Sequence, residues 1–162
     1  DDQIVPKIVA ELTPKWMSAE KKDEPVIIAF ACQWCSYAAA DAAGNMGMEY
    51  PENIRIIRVP CSGRIDALHV LTAFKHGADG VIISGCLPTQ CNYLTGNLEA
   101  IDRVDIMKKT LDVLGIGGER VETIFTSACM PTWLVTMFND FTERIKKLNE
   151  TSKPKPESIS LD

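Results

Sequence analysis

Four stretches of strand length, each followed by at least one cysteine, constrain the fold of this chain more than any other feature. The stretches are residues 26–31, 54–60, 80–84 and 121–128, and the cysteines that follow them are Cys32 and Cys35, Cys61, Cys86 and Cys91, and Cys129. The first run is continuously apolar, which is the pattern of a strand covered on both faces. Every cysteine therefore stands at, or just past, the predicted carboxyl end of a strand.

Helical patterns follow each of these strands. They cover residues 37–46, 65–74, 98–114 and 134–148. The second has an apolar stripe at three-residue steps, formed by Ile65, Leu68, Leu71 and Phe74. Ser62-Gly63 is predicted to cap this second helix, and Asn97 is predicted to be the N-cap of the third, which we expect to be the longest.

Four β-α units in succession predict a parallel sheet of about four strands, with helices on both faces and right-handed crossovers. A flavodoxin-like, doubly wound α/β fold is the most economical arrangement of these units. In such folds ligands bind outside the carboxyl ends of the strands. All six cysteines are expected to gather there, and a bound metal centre explains that clustering better than chance.

Length and composition favour one domain. The chain has 162 residues, and we expect a lead-in helix and linker at residues 1–25, a metal-binding domain at 26–148 and a flexible tail at 149–162. The net charge of −5 argues against a nucleic-acid-binding surface. No apolar run approaches the roughly 20 residues that span a bilayer, so no membrane segment is expected.

The six thiols allow several chemistries. Three disulfides are the ordinary interpretation of an even cysteine count, but disulfides join loops anywhere, whereas these cysteines share one predicted edge. The C-x-x-C pair Cys32 and Cys35 between a strand and a helix is also typical of thiol-disulfide oxidoreductases. Zinc takes four ligands, which Cys32 and Cys35 with Cys86 and Cys91 could supply. An iron–sulfur cluster also takes four thiolates, and its larger core accepts ligands from several loops.

Other residues give weaker indications of function. Ser84 and Ser127 have no positioned base, so nucleophilic hydrolysis is unsupported, and His69 and His76 fall in a predicted helix. An apolar and aromatic group surrounds the cysteine loops and suits the core of an interface with a partner. Its members are Trp34, Leu87, Pro88, Tyr93, Met130, Pro131 and Trp133.

A set of ordered motifs gives the chain a family resemblance. The motifs are Cys32-x-Trp34-Cys35-Ser36-Tyr37-Ala38, then Arg58-Val59-Pro60-Cys61-Ser62-Gly63-Arg64, then Gly77-Ala78-Asp79-Gly80-Val81, and finally Gly85-Cys86-x-Pro88-x-x-Cys91-x-Tyr93 with Gly96-Asn97. Together they resemble the delta subunit of the methyl-viologen-reducing (F420-non-reducing) hydrogenase of methanogens. The similarity runs from about residue 26 to residue 148.

The resemblance implies a cytoplasmic iron–sulfur subunit that transfers electrons and catalyses nothing alone. It implies a [2Fe–2S] cluster held by four of Cys32, Cys35, Cys61, Cys86 and Cys91, with Cys129 as a further candidate. We expect Cys32, Cys86 and Cys91 to bracket the crevice between adjoining strand ends. The implied partners are a hydrogenase or formate dehydrogenase upstream and the flavin-containing subunit of heterodisulfide reductase downstream, where electron bifurcation serves methanogenesis.

Two departures from the family pattern stand beside the cysteines. The loop after the third strand reads Leu87-Pro88-Thr89-Gln90 with Asn92, where many relatives have His-Pro-Gly-Asp and a second histidine. Cys129 is an additional thiol, since the pattern usually has none at that position. These changes alter the polarity around the predicted cluster, on which its reduction potential depends.

Overall fold

The computed structural model describes residues 24–151. The predicted lead-in and tail therefore lie mostly outside the described residues. The strands are β1 (Ile27–Cys32), β2 (Ile54–Val59), β3 (Gly80–Cys86) and β4 (Val121–Thr126). The helices are α1 (Ser36–Asn45), α2 (Ala67–Lys75), α3 (Gly96–Val113) and α4 (Pro131–Thr151), and short 3-10 turns cover Ser62–Arg64 and Gly118–Arg120.

The strands form one parallel sheet in the order β2-β1-β3-β4. The prediction of a doubly wound α/β fold is confirmed. Because β2 and β3 lie on opposite sides of β1, the direction of chain progression reverses between β1 and β3. In open α/β sheets such a reversal opens a crevice at the carboxyl ends of the two strands, which is where these folds bind ligands. Cys32 ends β1 and Cys86 ends β3.

Each face of the sheet is covered by two helices. Ile28, Phe30 and Ile83 pack with residues of α2 and α3, while Ile27, Ala29 and Ile82 pack with residues of α1 and α4. The alternation follows from the pleat, which sends neighbouring side chains to opposite faces. All six residues of β1 and all seven of β3 are buried, as expected for the two central strands. Within residues 24–151, every helix is too short or too polar to cross a membrane.

Three helix predictions are wrong in detail. Leu68 is exposed, whereas Val70, Ala73 and His69 are the buried residues of α2, because residues at three-residue steps do not stay on one face of a helix with 3.6 residues per turn. Its cap is Asp66 and not Ser62-Gly63. The Asp66 carboxylate accepts from the backbone N–H of His69, and the His69 ring accepts from the backbone N–H of Asp66, which is a capping box. The longest described helix is α4, with 21 residues against 18 in α3.

Candidate metal centre

The ends of β1 and β3 bring three buried thiols together. The Sγ atoms of Cys32 and Cys86 lie 3.8 Å apart, although 54 residues separate them in the chain. Cys35 stands just before α1, and its Sγ lies within 4.8 Å of both other sulfurs. All three side chains are at most 4% exposed. The trio of Cys32, Cys35 and Cys86 therefore occupies the crevice that the strand order creates.

A second pair of thiols lies beside this trio. The Sγ atoms of Cys61 and Cys91 are 4.0 Å apart, and the pair is partly buried. Cys61 follows β2, whereas Cys91 lies in the loop between β3 and α3. The sulfur that lies with those of Cys32 and Cys86 is therefore that of Cys35, and the Cys91 sulfur contacts that of Cys61.

The first residue of α3 packs directly against the second pair. A Cβ atom added at Gly96 would lie 2.4 Å from the Cys61 Sγ and 3.4 Å from the Cys91 Sγ. A separation of 2.4 Å is far inside ordinary contact distance, so only glycine leaves room for the Cys61 sulfur in its present position. The backbone of α3 thus forms one wall of the site.

The thiols are not equivalent in acidity. The hydrogen bond from the Cys35 side chain lowers the pKa of Cys32 to about 6 against the opposing effect of burial, and the same hydrogen bond raises the pKa of Cys35. Burial raises the pKa of Cys61 to about 11 and also raises the pKa of Cys86. The negative charge of Cys32 contributes to the rise at both residues, which places Cys61 within electrostatic reach of the trio.

Two side chains of α3 hold the loops that carry the cysteines. The amide of Asn97 donates hydrogen bonds to the carbonyl oxygens of Cys86 (3.0 Å) and Leu87 (2.8 Å). The guanidinium of Arg103 donates to the carbonyl oxygens of Gly63 and Ile65, just after Cys61. Asn97 is therefore not the N-cap of α3. Thr95 precedes the helix, and Asn97 is completely buried in its first turn.

The loop between β3 and α3 has an unusual backbone. The N–H of Gln90 donates to the carbonyl of Leu87, which closes a turn with Pro88 second and Thr89 third. Thr89 has φ +67°, so the turn is of the type that favours glycine at its third position. Leu94 has φ +68°. These are the two non-glycine residues with positive φ in the described part of the chain, and Cys91 lies between them.

One buried hydroxyl beside the site has no partner. Ser62 follows Cys61 and is 1% exposed, and within residues 24–151 its Oγ makes no hydrogen bond. An ideal Cβ at Gly85 would lie 2.5 Å from this Oγ. The hydroxyl therefore lies against the backbone of β3, one residue before Cys86.

Cys129 differs from the other five cysteines. It follows β4 and is exposed, and its Sγ lies 3.4 Å from the Ser127 Oγ. It belongs to neither the trio nor the Cys61–Cys91 pair. The sequence therefore predicted the edge of the sheet at which Cys129 lies, but not its separation from the buried thiols.

An exposed aromatic group surrounds this edge. Trp34 and Tyr93 are each about half exposed, and Trp133 is exposed while its Nε1 donates to the carbonyl of Phe125. Leu94 is 84% exposed. Leu87, Met130 and Pro131 are half-buried, and Pro88 is exposed. The aromatic residues named from the sequence thus lie at the surface, while the smaller apolar residues between them are partly covered.

Comparison with known proteins assigns the chain to a family. The family described as "Methyl-viologen-reducing hydrogenase, delta subunit" matches residues 27–149. The chain belongs to this family. It is 46% identical over 125 residues to the vhu iron–sulfur subunit of the F420-non-reducing hydrogenase of Methanocaldococcus jannaschii, and the match covers 77% of this chain and 93% of that protein. The vhu iron–sulfur subunit of Methanococcus maripaludis shows the same identity and coverage.

A larger protein contains a stretch similar to this delta-subunit chain. It belongs to the ferredoxin/F(420)H(2)-dependent CoB-CoM heterodisulfide reductase of Methanosarcina acetivorans. This reductase polypeptide is 40% identical over 131 residues, which is 81% of this chain but 16% of that protein. The chain therefore corresponds to about a sixth of that reductase polypeptide.

The residues present fit a soft metal centre. A trio and a pair of thiols lie at the carboxyl end of the sheet, thiolate sulfur is the ligand that zinc and iron–sulfur clusters select, and glycine at residue 96 leaves room for the Cys61 sulfur. At a metal–thiolate distance of about 2.3 Å, two sulfurs on one tetrahedral ion lie roughly 3.8 Å apart. The sulfur–sulfur separations of 3.8 Å and 4.0 Å in the two pairs match this distance.

Proposed function

We propose that this chain is an electron-transfer subunit that holds a [2Fe–2S] cluster at the cysteine edge of the sheet. The observation that carries the proposal is the arrangement of two thiol pairs, each with the sulfur separation of one tetrahedral metal ion. A [2Fe–2S] cluster has two iron ions, and each takes two thiolates. A single zinc ion would need only one such pair and two further sulfurs.

The pairs suggest which four cysteines are ligands. Cys32 and Cys86 would bind one iron, and Cys61 and Cys91 would bind the other. Cys35 would then be the fifth buried thiol, beside Cys32 but not bound to metal. Cys129 would take no part.

The bound cluster would accept and release one electron at a time, and the protein would supply its surroundings. The burial of Cys32 and Cys86 excludes water from one side of the site. Asn97 fixes the backbone that leaves β3 by donating to the carbonyls of Cys86 and Leu87. We propose that the chain alone carries electrons and catalyses no reaction.

Relatives suggest the partners. Two are named as iron–sulfur subunits of a hydrogenase, and one is a heterodisulfide reductase subunit that contains a similar stretch within a single polypeptide. We infer that the chain carries electrons in the cytoplasm from a hydrogenase or formate dehydrogenase to the flavin-containing subunit of heterodisulfide reductase, where electron bifurcation supports methanogenesis. Trp34, Tyr93 and Trp133 would lie in the contact with that flavin subunit, because their exposed rings surround the cysteine edge.

Iron and acid-labile sulfide analysis of anaerobically purified protein tests the cofactor. We expect two irons and two sulfides per chain. Serine substitutions at Cys32, Cys61, Cys86 and Cys91 should each remove or spectroscopically alter the cluster, whereas Cys35→Ser and Cys129→Ser should keep full iron content. Zinc without sulfide in the wild type would refute the proposal.

A structural zinc site is the second candidate. Cys32, Cys35 and Cys86 lie within 4.8 Å of one another, which gives three of the four ligands of a tetrahedral zinc ion. The two candidates predict opposite results for one variant. Cys35→Ser should release the metal if the site binds zinc, and it should leave the metal content unchanged if the site holds the cluster as proposed.

The thiol-disulfide oxidoreductase alternative has less support. A reactive C-x-x-C pair needs an accessible thiolate, and although the pKa of Cys32 is low, Cys32 and Cys35 are 1% and 4% exposed. Insulin reduction by the cluster-free protein measures this activity directly. We expect no turnover above that of the free thiol reductant.

Co-purification with the flavin subunit tests the partner. Trp34→Ser and Tyr93→Ser should weaken association, while Val113→Ser should not. Val113 is also a large exposed apolar residue, at 88%, but it ends α3 and so lies at the opposite edge of the sheet from the cysteines. Truncations of residues 1–20 and 150–162 test whether the two ends of the chain add to the contact. Equal recovery of all variants would refute the predicted interface.

A further inference from the structure

The Ser62 hydroxyl is a buried polar group that the fold leaves unsatisfied. Most buried polar atoms in native proteins have a hydrogen-bond partner, and one without a partner destabilises the protein. Ser62 is 1% exposed, and no acceptor among residues 24–151 receives its proton. The other buried serines differ in this respect. Ser84 donates to the carbonyl of Ile124, and Ser36 contacts the Cys35 sulfur.

The Ser62 hydroxyl lies between two chain segments that each carry one member of a thiol pair. Ser62 is the next residue after Cys61, which belongs to one pair. Its Oγ lies against Gly85, which is the residue before Cys86 of the other pair. A side chain at residue 85 would displace the hydroxyl, since even a Cβ there would lie 2.5 Å from the Oγ. The unsatisfied donor is therefore held between two segments that each carry a proposed ligand.

We propose that the Ser62 hydroxyl donates a hydrogen bond to an inorganic sulfide of the cluster. The inference rests on the proposed function, because the sulfide is present only when the cluster is bound and no cysteine sulfur among residues 24–151 accepts a hydrogen bond from this hydroxyl. A thiolate or sulfide sulfur is a charged acceptor, and hydrogen bonds to charged groups are stronger than neutral ones. Binding of the cluster would thus satisfy the one polar group that the described part of the protein leaves without a partner beside the site.

The consequence is a higher reduction potential. Hydrogen bonds to the sulfurs are among the factors that set the potential of iron–sulfur clusters. Such a bond stabilises the reduced form more than the oxidised form, because reduction adds one negative charge near the hydroxyl. The hydroxyl keeps its proton throughout, and the one electron comes from the donor protein. Ser62 is therefore a positioning residue that tunes the cluster and takes no part in a bond-breaking step.

The test is a redox titration of Ser62→Ala, monitored by electron paramagnetic resonance, with Thr142→Val as its matched control. Thr142 is also a buried hydroxyl without a partner among the described residues, but it lies about 16 Å along α4 from the end of the helix that faces the cysteines. Ser62→Ala should keep its iron and lower the equilibrium constant for reduction roughly tenfold, which is about 59 mV for a one-electron couple. Thr142→Val should leave the potential unchanged.

A second measurement uses the wild-type protein. After exchange into D2O, the reduced cluster should show an exchangeable deuteron coupling by electron–nuclear double resonance, and this coupling should be absent in Ser62→Ala. Equal potentials for wild type and Ser62→Ala would overturn the inference. If Ser62→Ala fails to bind iron, the absence of an exchangeable deuteron in the wild type would overturn it instead. A wild type without iron and sulfide would refute the proposed function itself, which is a distinct outcome.

Discussion

Replacement of Gly96 by alanine should remove the cluster while it leaves the fold intact. The added Cβ would lie 2.4 Å from the Cys61 Sγ, and ordinary contacts begin near 3.4 Å, so the sulfur has to retreat by about 1 Å. Metal–ligand distances tolerate a change of only about 0.2 Å. The Cys61 sulfur therefore cannot avoid a clash with the new methyl group and bind the metal at the same time.

The substitution Gly96→Ala should change the free energy of unfolding of the metal-free protein only slightly. Without metal, the Cys61 side chain is free to rotate, which costs about 0.5–1.5 kcal/mol if it leaves its preferred rotamer. Alanine in place of glycine at a helical position stabilises the protein by up to about 1 kcal/mol. The two effects nearly cancel, so the free energy of unfolding of the metal-free protein should change by less than about 1 kcal/mol.

The assay compares iron and sulfide content with denaturant unfolding of the metal-free chain. Gly44→Ala in α1 is the control, because a Cβ at Gly44 would meet no atom within 4 Å. Gly44→Ala should keep its cluster and gain about 0.5–1 kcal/mol in stability. Gly96→Ala should lose most of its iron and sulfide. Full cluster content with an unchanged paramagnetic resonance spectrum in Gly96→Ala would refute the proposal that Cys61 is a ligand.

Three further predictions concern the loops and the outer strand. Thr89→Gly should stabilise the metal-free protein by about 0.5–1 kcal/mol in denaturant unfolding, because a β-branched residue with φ +67° is strained and glycine is not. Asn97→Ala should cost about 2–3 kcal/mol in the same assay, since two buried carbonyls lose their donor. The pKa of Glu122 is lowered, because the hydrogen bond from Arg144 and the charges of Lys108 and Arg144 outweigh the opposing effect of burial. The ion pair therefore stabilises the protein above about pH 4.5, and this stability is lost as the pH falls through the lowered pKa. Glu122→Gln should therefore be less stable at pH 7 by about 0.2–1 kcal/mol, and thermal unfolding at decreasing pH should show the difference disappear.

The sequence predicted the strands well because their signal is local. The continuous apolar run that begins at residue 26 became β1, and the stretches 54–60 and 121–128 contain β2 and β4, which begin at residues 54 and 121 and end at residues 59 and 126. A strand buried on both faces requires apolar residues at every position, so composition alone reveals it. The position of the cysteines after the strands was visible for the same reason, and the parallel order brought them to one edge.

The grouping of the thiols could not be predicted in the same way. Whether Cys35 or Cys91 lies beside Cys32 depends on the path of the loops, which Asn97 and Arg103 fix through hydrogen bonds to carbonyls 10 to 40 residues away in sequence. Asn97 satisfied the sequence rule for an N-cap, but tertiary contacts gave its side chain another role. Leu68 is exposed although Ile65, Leu71 and Phe74 of the same predicted stripe pack in or against the core, because residues at three-residue steps drift around a helix of 3.6 residues per turn.

The parallel order of the sheet determines when the thiols can first meet during folding. Strand pairing joins residue 27 to residue 54 and to residue 80, and residue 81 to residue 121, so the sheet contains no hairpin that could form locally. Each pairing closes a long loop, and folds dominated by such distant contacts form slowly. Cys32 and Cys86 become neighbours only after β3 has paired with β1, on the side opposite β2. Until that step the thiols of Cys32 and Cys86 are apart, so assembly of the proposed cluster has to follow formation of the sheet, and iron delivered earlier would not find both ligands together.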